Sequence, residues 1–262
     1  MGYLHTDELP TYWQWPNVLG IDAAVVAVSW YWFLLPPEIS LPLIPASVLA
    51  LSVWLTYLAD RLLDIRQKEP SEINSLRHRI IAQNQKILRS LWGILFLINL
   101  MLAFFGLSEA QLTRGFFLLL VTLGYVLAAQ KVKSPLHWKE FSVGIIFTCG
   151  VLLFIRQPLP WTMPLMLIIL FSCNCQIVAE IDRLKSPQKN EALRKNHISI
   201  LINLVLATFL ALVFLPIALC GIIALVGLYY LRHDIDCENS RIMADAALMI
   251  PPFLYFIWTL LA

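Results

Sequence analysis

The feature that most constrains this chain is a succession of apolar stretches, each close to the length of a membrane crossing. A transmembrane helix needs roughly 17–25 mostly apolar residues. Only 14% of the residues are charged whereas 59% are hydrophobic, which is too little charge to cover a water-soluble domain of this size. The stretches occupy residues 18–35, 41–60, 87–107, 111–130, 141–157, 159–181, 198–215, 216–231 and 245–262.

These stretches predict an all-α, polytopic membrane protein with about nine transmembrane helices in one bundle. No linker rich in Ser, Gly or Pro interrupts them, so residues 1–262 are expected to form a single transmembrane domain. We expect a lipid bilayer as the surroundings and no nucleic-acid partner. The oligomeric state stays open.

The basic residues are distributed unevenly between the two sides of this predicted bundle. All but two of the 19 Lys and Arg residues fall in four alternate loops, and only Arg114 and Arg156 fall on the opposite side. Lys and Arg are enriched in cytoplasmic loops, so the four basic loops and the amino terminus are predicted to be cytoplasmic. We expect an integral protein of a bacterial inner membrane, with its site facing the cytoplasm.

Two acids end the second apolar stretch. Asp60 and Asp64 are four residues apart in the segment 56–66, so they share one helix face with Cβ atoms roughly 5–6 Å apart. Two carboxylates this close repel each other, and more strongly at the edge of a membrane. A cation is therefore expected between them, either a metal ion or an arginine.

The sixth apolar stretch ends in a similar way. Asn174, Val178 and Asp182 recur every four residues and share one helix face. If this face opposes the face of Asp60 and Asp64, four oxygen-bearing side chains converge on one mouth of the bundle. Oxygen ligands alone suit Mg²⁺, which is often coordinated by protein side chains and substrate phosphates together.

Basic residues are expected to surround the same mouth. The loop after the second stretch contains Arg77 and Arg79, and later loops contain Lys133, Lys139 and Arg183. Acids, Mg²⁺ and basic side chains together are the groups that bind a diphosphate. For the two arginines, a role in setting topology alone is the alternative.

The two acidic helix ends resemble the aspartate motifs of the UbiA superfamily of intramembrane prenyltransferases. In that family N-D-x-x-D-x-x-x-D ends the second of nine helices, and D-x-x-x-A-x-x-D ends the sixth. Asp60 and Asp64 match the last two acids of the first motif, and Ala179 with Asp182 match the end of the second. The positions that depart from the Asn and Asp of the family are Thr56, Tyr57 and Cys175.

The resemblance implies transfer of a prenyl group from a prenyl diphosphate to a membrane-soluble acceptor, aromatic or lipid. It implies Mg²⁺ as the cofactor, and an apolar bundle that holds the isoprenoid tail and excludes water. The implied catalytic and metal-binding residues are Asp60, Asp64 and Asp182. The implied diphosphate-binding residues are Arg77, Arg79, Lys133, Lys139, Arg183 and Asn174.

Two other functions stay open at this stage. The missing motif acids favour a catalytically weakened relative that binds isoprenoid lipids. A cation- or proton-coupled transporter would use the same acids. Transport sites lie near the midplane of the membrane, however, whereas these acids lie at one end of the predicted bundle. The base that would activate an acceptor is also undecided between Asp22 and Glu140.

Overall fold

Every regular element in the described part of the chain is a helix. The computed structural model describes residues 10–67, 76–131, 138–184, 192–214, 216–231 and 237–261. Within these ranges the helices are α1 (Trp15–Leu19), α2 (Ile21–Phe33), α3 (Leu43–Gln67), α4 (Leu76–Gln83), α5 (Gln85–Gly106), α6 (Glu109–Lys131), α7 (Trp138–Leu152), α8 (Thr162–Leu184), α9 (Ala192–Phe214), α10 (Ala218–Leu231) and α11 (Cys237–Leu261).

Helix length and apolar character identify the elements that can cross a membrane. Within the described ranges, α3, α5, α6, α8 and α11 are long and apolar enough to do so. The apolar segments of α2, α9 and α10 are shorter. The prediction of an all-helical protein with candidate transmembrane helices is therefore confirmed, and each predicted apolar stretch overlaps a helix in these ranges, although α7 ends at Leu152, before the end of its stretch at residue 157.

Several helices extend beyond their predicted apolar stretches on the side that contains the acids, and α3 and α11 extend the most. α3 continues past Asp60 to Gln67, and α11 begins at Cys237 instead of Asp245. The backbone hydrogen bonds of a helix run from residue to residue whatever the polarity of the side chains. The acids therefore lie on regular helix turns, which fixes the direction of each side chain.

The packing of the bundle has an interior and an outer layer. α8 packs against α7, α9, α10 and α11, while α2 packs against α3, α7 and α11. α5 and α6 expose large apolar side chains such as Leu97, Phe104, Phe105 and Phe117. An exposed apolar surface of this extent fits contact with lipid chains.

Two prolines inside α11 create a contact with α2. Pro251 and Pro252 have no backbone N–H, so two carbonyl groups one turn earlier lose their helical donors. One of them, the carbonyl of Leu248, accepts a hydrogen bond of 2.9 Å from Nε1 of the buried Trp30. Satisfying a freed carbonyl with a neighbouring side chain is how a membrane helix tolerates proline.

Candidate functional site

A tight turn between α1 and α2 brings two polar side chains together. α1 ends at Gly20, whose φ of 74° lies in the left-handed region that glycine adopts without strain. The turn places Asn17 beside Asp22, and Asn17 Nδ2 donates to Asp22 Oδ2 at 2.6 Å. The other oxygen of Asp22 accepts a hydrogen bond of 2.9 Å from the backbone N–H of Ala23.

A second aspartate, from the far end of the chain, joins this pair. Asp245 on α11 accepts from Asn17 Nδ2 at 3.3 Å and from Asn174 Nδ2 on α8 at 3.0 Å. Residues from α1, α2, α8 and α11 thus form one hydrogen-bonded group, which we call the interior cluster: Asn17, Asp22, Asn174 and Asp245. Asn17, Asp22 and Asn174 are buried and Asp245 is half-buried.

In both amides of the interior cluster the nitrogen donates a hydrogen bond, whereas the oxygen has no partner among the described residues. Asn17 Oδ1 and Asn174 Oδ1 are buried and accept no hydrogen bond from the part of the chain that the structure describes. The carboxylates fix this orientation, because a flipped amide would bring two acceptor oxygens together. An acceptor without a donor is costly to bury, and both oxygens have less than 1 Å² exposed.

Arg61 anchors the turn from the side of α3. Its guanidinium nitrogen donates to the carbonyl oxygens of Asn17 and Val18 at 2.8 and 2.9 Å. These carbonyls belong to the last turn of α1, where few backbone acceptors have helical partners; the carbonyl of Asn17 also accepts from the Gly20 N–H at 3.1 Å. The side chain of Arg61 is only 6% exposed, and its guanidinium carbon lies 5.7 Å from the ring centre of Tyr57.

The predicted acids Asp60 and Asp64 lie one and two turns beyond Tyr57, toward the end of α3. Both are half-buried. Asp60 interacts electrostatically with Asp64, with its neighbour Arg61, and also with Lys139 of α7 and Arg77 of α4. Nε2 of His78 on α4 lies 3.9 Å from Asp64 Oδ2. We call this charged group the mouth cluster: Asp60, Asp64, Arg77, His78 and Lys139.

Lys139 has a structural contact in addition to its electrostatic one. Its Nζ donates a hydrogen bond of 2.7 Å to the carbonyl oxygen of Ala129 in the last turns of α6. A cation at a helix carboxyl end satisfies backbone carbonyls and the helix dipole. An ammonium group has three protons, so this contact leaves two protons for other acceptors.

The structure separates the remaining predicted site residues. Arg79 is half-buried on α4, and residues two apart on a helix do not share a face, so α4 brings Arg77 rather than Arg79 to Asp60. The amide nitrogen of Asn174, the atom that would donate to a phosphate, is engaged by Asp245. Lys133 lies outside the described residues, as do the side chains of Asp182 and Arg183.

A small cavity of about 20 Å³ lies where α2, α3, α7, α8 and α11 meet. The two helices that contain the predicted acids both line it, with Tyr57 from α3 and with Asn174 and Cys175 from α8. Asp245 from α11 completes the polar part of the wall. The apolar part consists of Ala23, Val26, Val143, Phe147, Phe171 and Leu248.

The described side chains permit only a simple metal site. Within the described ranges, no three Asp, Glu, His or Cys side chains converge in the manner of a metal centre. Asp60 and Asp64 do lie one turn apart on the same face of α3. Mg²⁺ that is shared with substrate phosphates commonly uses one or two carboxylates, so this pair fits that kind of ion.

Sequence reasoning did not identify the interior cluster as a unit. The sequence offers Asp22 as a candidate base and places Asp245 among the acids at apolar helix ends, but it gives no reason to join them to Asn17, and Arg61 reads as a loop charge. One signal was present in the sequence: Arg61 falls on the same helix face as Leu58 and Ile65, which are buried. A charged residue at a core position of a helix indicates a buried polar partner.

No protein-family model, curated protein or solved structure matches this chain. What the site can do chemically is therefore set by the side chains and the cavity just described.

Proposed function

We propose that this protein transfers a prenyl group from a prenyl diphosphate to a membrane-soluble acceptor, with Mg²⁺ as its cofactor. One observation supports this most: two carboxylates and two basic side chains lie together beyond an apolar cavity inside the bundle. Asp60 follows Tyr57 of the cavity wall by one helix turn, or roughly 5 Å along α3. A diphosphate at the mouth cluster would thus direct its hydrocarbon tail toward the apolar wall of the cavity.

The mouth cluster would bind the leaving group. When bound by Asp60 and Asp64, with Asp182 as the third acid implied by the motif resemblance, Mg²⁺ supplies charge stabilisation to the diphosphate. Arg77 and Lys139 interact electrostatically with Asp60 and would neutralise the negative charge that develops as the carbon–oxygen bond breaks. The apolar walls, including Phe147 and Phe171, would exclude water from the allylic carbon.

The proposed topology places this mouth on the cytoplasmic side of a bacterial inner membrane. Nine helices, α2, α3 and α5 to α11, would cross the membrane, and the amino terminus would be cytoplasmic. The carboxyl ends of α3, α6 and α8 and the amino ends of α2, α7 and α11 would then share that side. The concentration of Lys and Arg in the loops at these ends supports this orientation.

The proposal is tested by removing the negative charge of one mouth acid at a time. Asp60→Asn keeps the shape of the side chain, and Asp182→Asn tests the third acid of the motif. Each variant should lower Mg²⁺-dependent release of diphosphate from geranyl, farnesyl or geranylgeranyl diphosphate by about 100-fold or more. Release is measured on purified protein with an enzyme-coupled assay for inorganic diphosphate.

The matched control is Glu109→Gln, which removes an acid from the first turn of α6. This turn is at the opposite end of α6 from Ala129, the residue that Lys139 of the mouth cluster contacts. This variant should insert into the membrane and release diphosphate at the wild-type rate. Wild-type rates in both aspartate variants would reject the proposed function.

The cations of the mouth cluster give a second test. Arg77→Ala should weaken binding of farnesyl thiodiphosphate, a slowly reacting donor analogue, by about tenfold, since a charge-assisted hydrogen bond contributes roughly 1.5–3 kcal/mol. The dissociation constant is measured by calorimetry at two salt concentrations, with Arg79→Ala as the control on the other face of α4. Equal affinities in wild type and Arg77→Ala would leave Arg77 with a topological role alone.

A second candidate function, binding of isoprenoid lipids without turnover, is favoured by Tyr57. This residue stands where the resembled motif has an acid, and its ring lies beside Arg61 on the cavity wall. A neutral phenol adds no negative charge to a metal site. Binding of the donor analogue by the wild type, with no diphosphate released from any of the three donors, would support this function over prenyl transfer.

A further inference from the structure

Asp22 on α2 and Asp245 on α11 form a pair of acids inside the interior cluster. The two carboxyl groups are hydrogen-bonded to each other, and Asn17 Nδ2 contacts Oδ2 of both, at 2.6 and 3.3 Å. An ionised carboxylate only accepts hydrogen bonds, whereas a protonated one has an O–H donor. A hydrogen bond between the two acids therefore requires one proton on the pair.

The remaining oxygen of each acid is bound by a donor from its own side of the pair. Asp22 Oδ1 accepts from the backbone N–H of Ala23 at 2.9 Å, and Asp245 Oδ1 accepts from Asn174 Nδ2 at 3.0 Å. The two Oδ2 atoms are left to share the amide of Asn17. A proton between the acids adds the second donor that this side of the pair requires.

The charges that surround the pair lead to the same number of protons. On the described parts of α2, α3, α8 and α11, the buried charged side chains are Asp22, Arg61, Glu180 and Arg241, and Asp245 is half-buried. Three acids thus stand against two guanidinium groups. A net charge is costly in the interior of a bundle, and one proton on the acids removes it.

Two further titratable groups face the pair without changing this count. Tyr57 of α3 interacts electrostatically with Asp22 and Asp245, and Cys175 of α8 interacts with Asp245. A phenol and a thiol are uncharged at neutral pH. The proton therefore belongs to the two carboxyl groups.

We propose that Asp22 and Asp245 share one proton at neutral pH, and that this proton acts as a pH-sensitive latch between α2 and α11. The two helices pack against each other, and both line the cavity, α2 with Ala23 and Val26 and α11 with Asp245 and Leu248. The latch thus controls whether this wall of the cavity is closed. The inference goes beyond the proposed function and uses neither Mg²⁺ nor a diphosphate.

A rise in pH opens the latch. When α2 and α11 separate, both carboxyl groups meet water, where an aspartate has a pKa of about 3.9. At neutral pH the open form then binds neither proton whereas the closed form binds one, so opening releases a proton and becomes more favourable as the pH rises. The carboxyl O–H bond breaks, the proton goes to water, and the two carboxylates that remain repel each other.

The first experiment counts the proton by infrared spectroscopy of the purified protein in lipid at neutral pH, since a protonated carboxyl has its own C=O stretching band. Asp22→Asn and Asp245→Asn should each remove one such band. The double variant should remove no more than either single variant, because one proton serves both acids. The control is Asp60→Asn, which removes an acid of the mouth cluster and should keep the band of the pair.

The second experiment measures hydrogen exchange in the first turns of α11, residues 239–247, by mass spectrometry over a series of pH values. Asp245→Asn is the reference at each pH, because its amide can donate to Asp22 without titrating and the intrinsic pH dependence of exchange cancels. The ratio of the wild-type rate to the reference rate should rise by up to about tenfold per pH unit, as expected for release of one proton.

The matched control for the second experiment is Trp30→Phe. This variant removes the hydrogen bond of 2.9 Å from Trp30 to the carbonyl of Leu248, which joins the same two helices, and it removes no titratable group. It should raise the exchange rate of residues 239–247 over the wild type by the same factor at every pH.

Three results would overturn the inference. They are infrared bands that are unchanged in both single variants, a loss in the double variant twice that in either single variant, and a ratio of exchange rates that does not change with pH. If Asp245→Asn does not fold, Asp22→Asn takes its place as the reference. Diphosphate release is measured separately, so the latch and the proposed function can fail independently.

Discussion

The mouth cluster and the interior cluster each contain two aspartates at the same end of the bundle, yet they are held in opposite ways. Asp60 and Asp64 are half-buried and face basic side chains from α4 and α7. Asp22 and Asp245 share the amide nitrogen of Asn17 and are held by amide and backbone N–H groups.

For Asp22 the difference follows from access to water, because this residue is buried whereas Asp60 and Asp64 are half-buried. A half-buried carboxylate keeps part of its hydration, so loosely placed cations are sufficient partners and can be shared with an incoming anion. A buried carboxylate needs donors in direct contact. The mouth cluster is therefore suited to exchange partners with a substrate, whereas the interior cluster fixes the positions of α1, α2, α8 and α11.

The largest expected effect is on the anchor of the interior cluster. Arg61→Ala removes two hydrogen bonds from a buried guanidinium to the carbonyls of Asn17 and Val18. We expect a loss of about 3 kcal/mol in the free energy of unfolding, measured by denaturant titration in mixed micelles. Arg66→Ala, at an exposed position of the same helix, should change it by less than about 0.5 kcal/mol. Equal losses of unfolding free energy in Arg61→Ala and Arg66→Ala would contradict the anchoring role of Arg61.

A smaller effect is expected at the turn that places Asn17 beside Asp22. At Gly20 an added Cβ would meet its nearest neighbour, Tyr57 Cβ, at 3.4 Å, which is an ordinary contact. The cost of Gly20→Ala is therefore the left-handed backbone, roughly 1–2 kcal/mol. Gly93→Ala in α5 is the control, because nothing lies within 4 Å of the added Cβ. That variant should be neutral or stabilising by up to about 1 kcal/mol. Thermal melts of the two variants and the wild type measure both changes.

The smallest effect is expected in the mouth cluster. Asp64→Asn removes the charge that faces Nε2 of His78 at 3.9 Å, and a partly exposed contact of this length contributes less than about 1 kcal/mol. Asp22→Asn, its counterpart in the interior cluster, should cost about 2 kcal/mol because a buried N–H donor loses a charged acceptor. Unfolding free energies of the two variants check this order. A larger loss for Asp64→Asn would mean that the mouth cluster is itself a structural anchor.

Much of the fold could be predicted from the sequence because each helix is held by hydrogen bonds between residues close together in the chain. A run of apolar residues selects a helix whatever lies elsewhere in the chain, since a backbone in lipid must satisfy its own hydrogen bonds. The spacing of Asp60 and Asp64 likewise predicted a pair on one face of α3. Where each helix ends was less predictable, as in α3 and α11, because the helical hydrogen bonds continue beyond the apolar residues.

The sequence by itself determined that the chain is helical and membrane-like, and that its acids collect at helix ends. Only the tertiary structure decided which acids share partners. Asn17 and Asp245 are 228 residues apart in the chain, and no local pattern links an amide in a five-residue helix to a carboxylate in the last one. Burial by helices far apart in sequence turned these residues into one group, because a polar side chain that enters the bundle must find its donors or acceptors there.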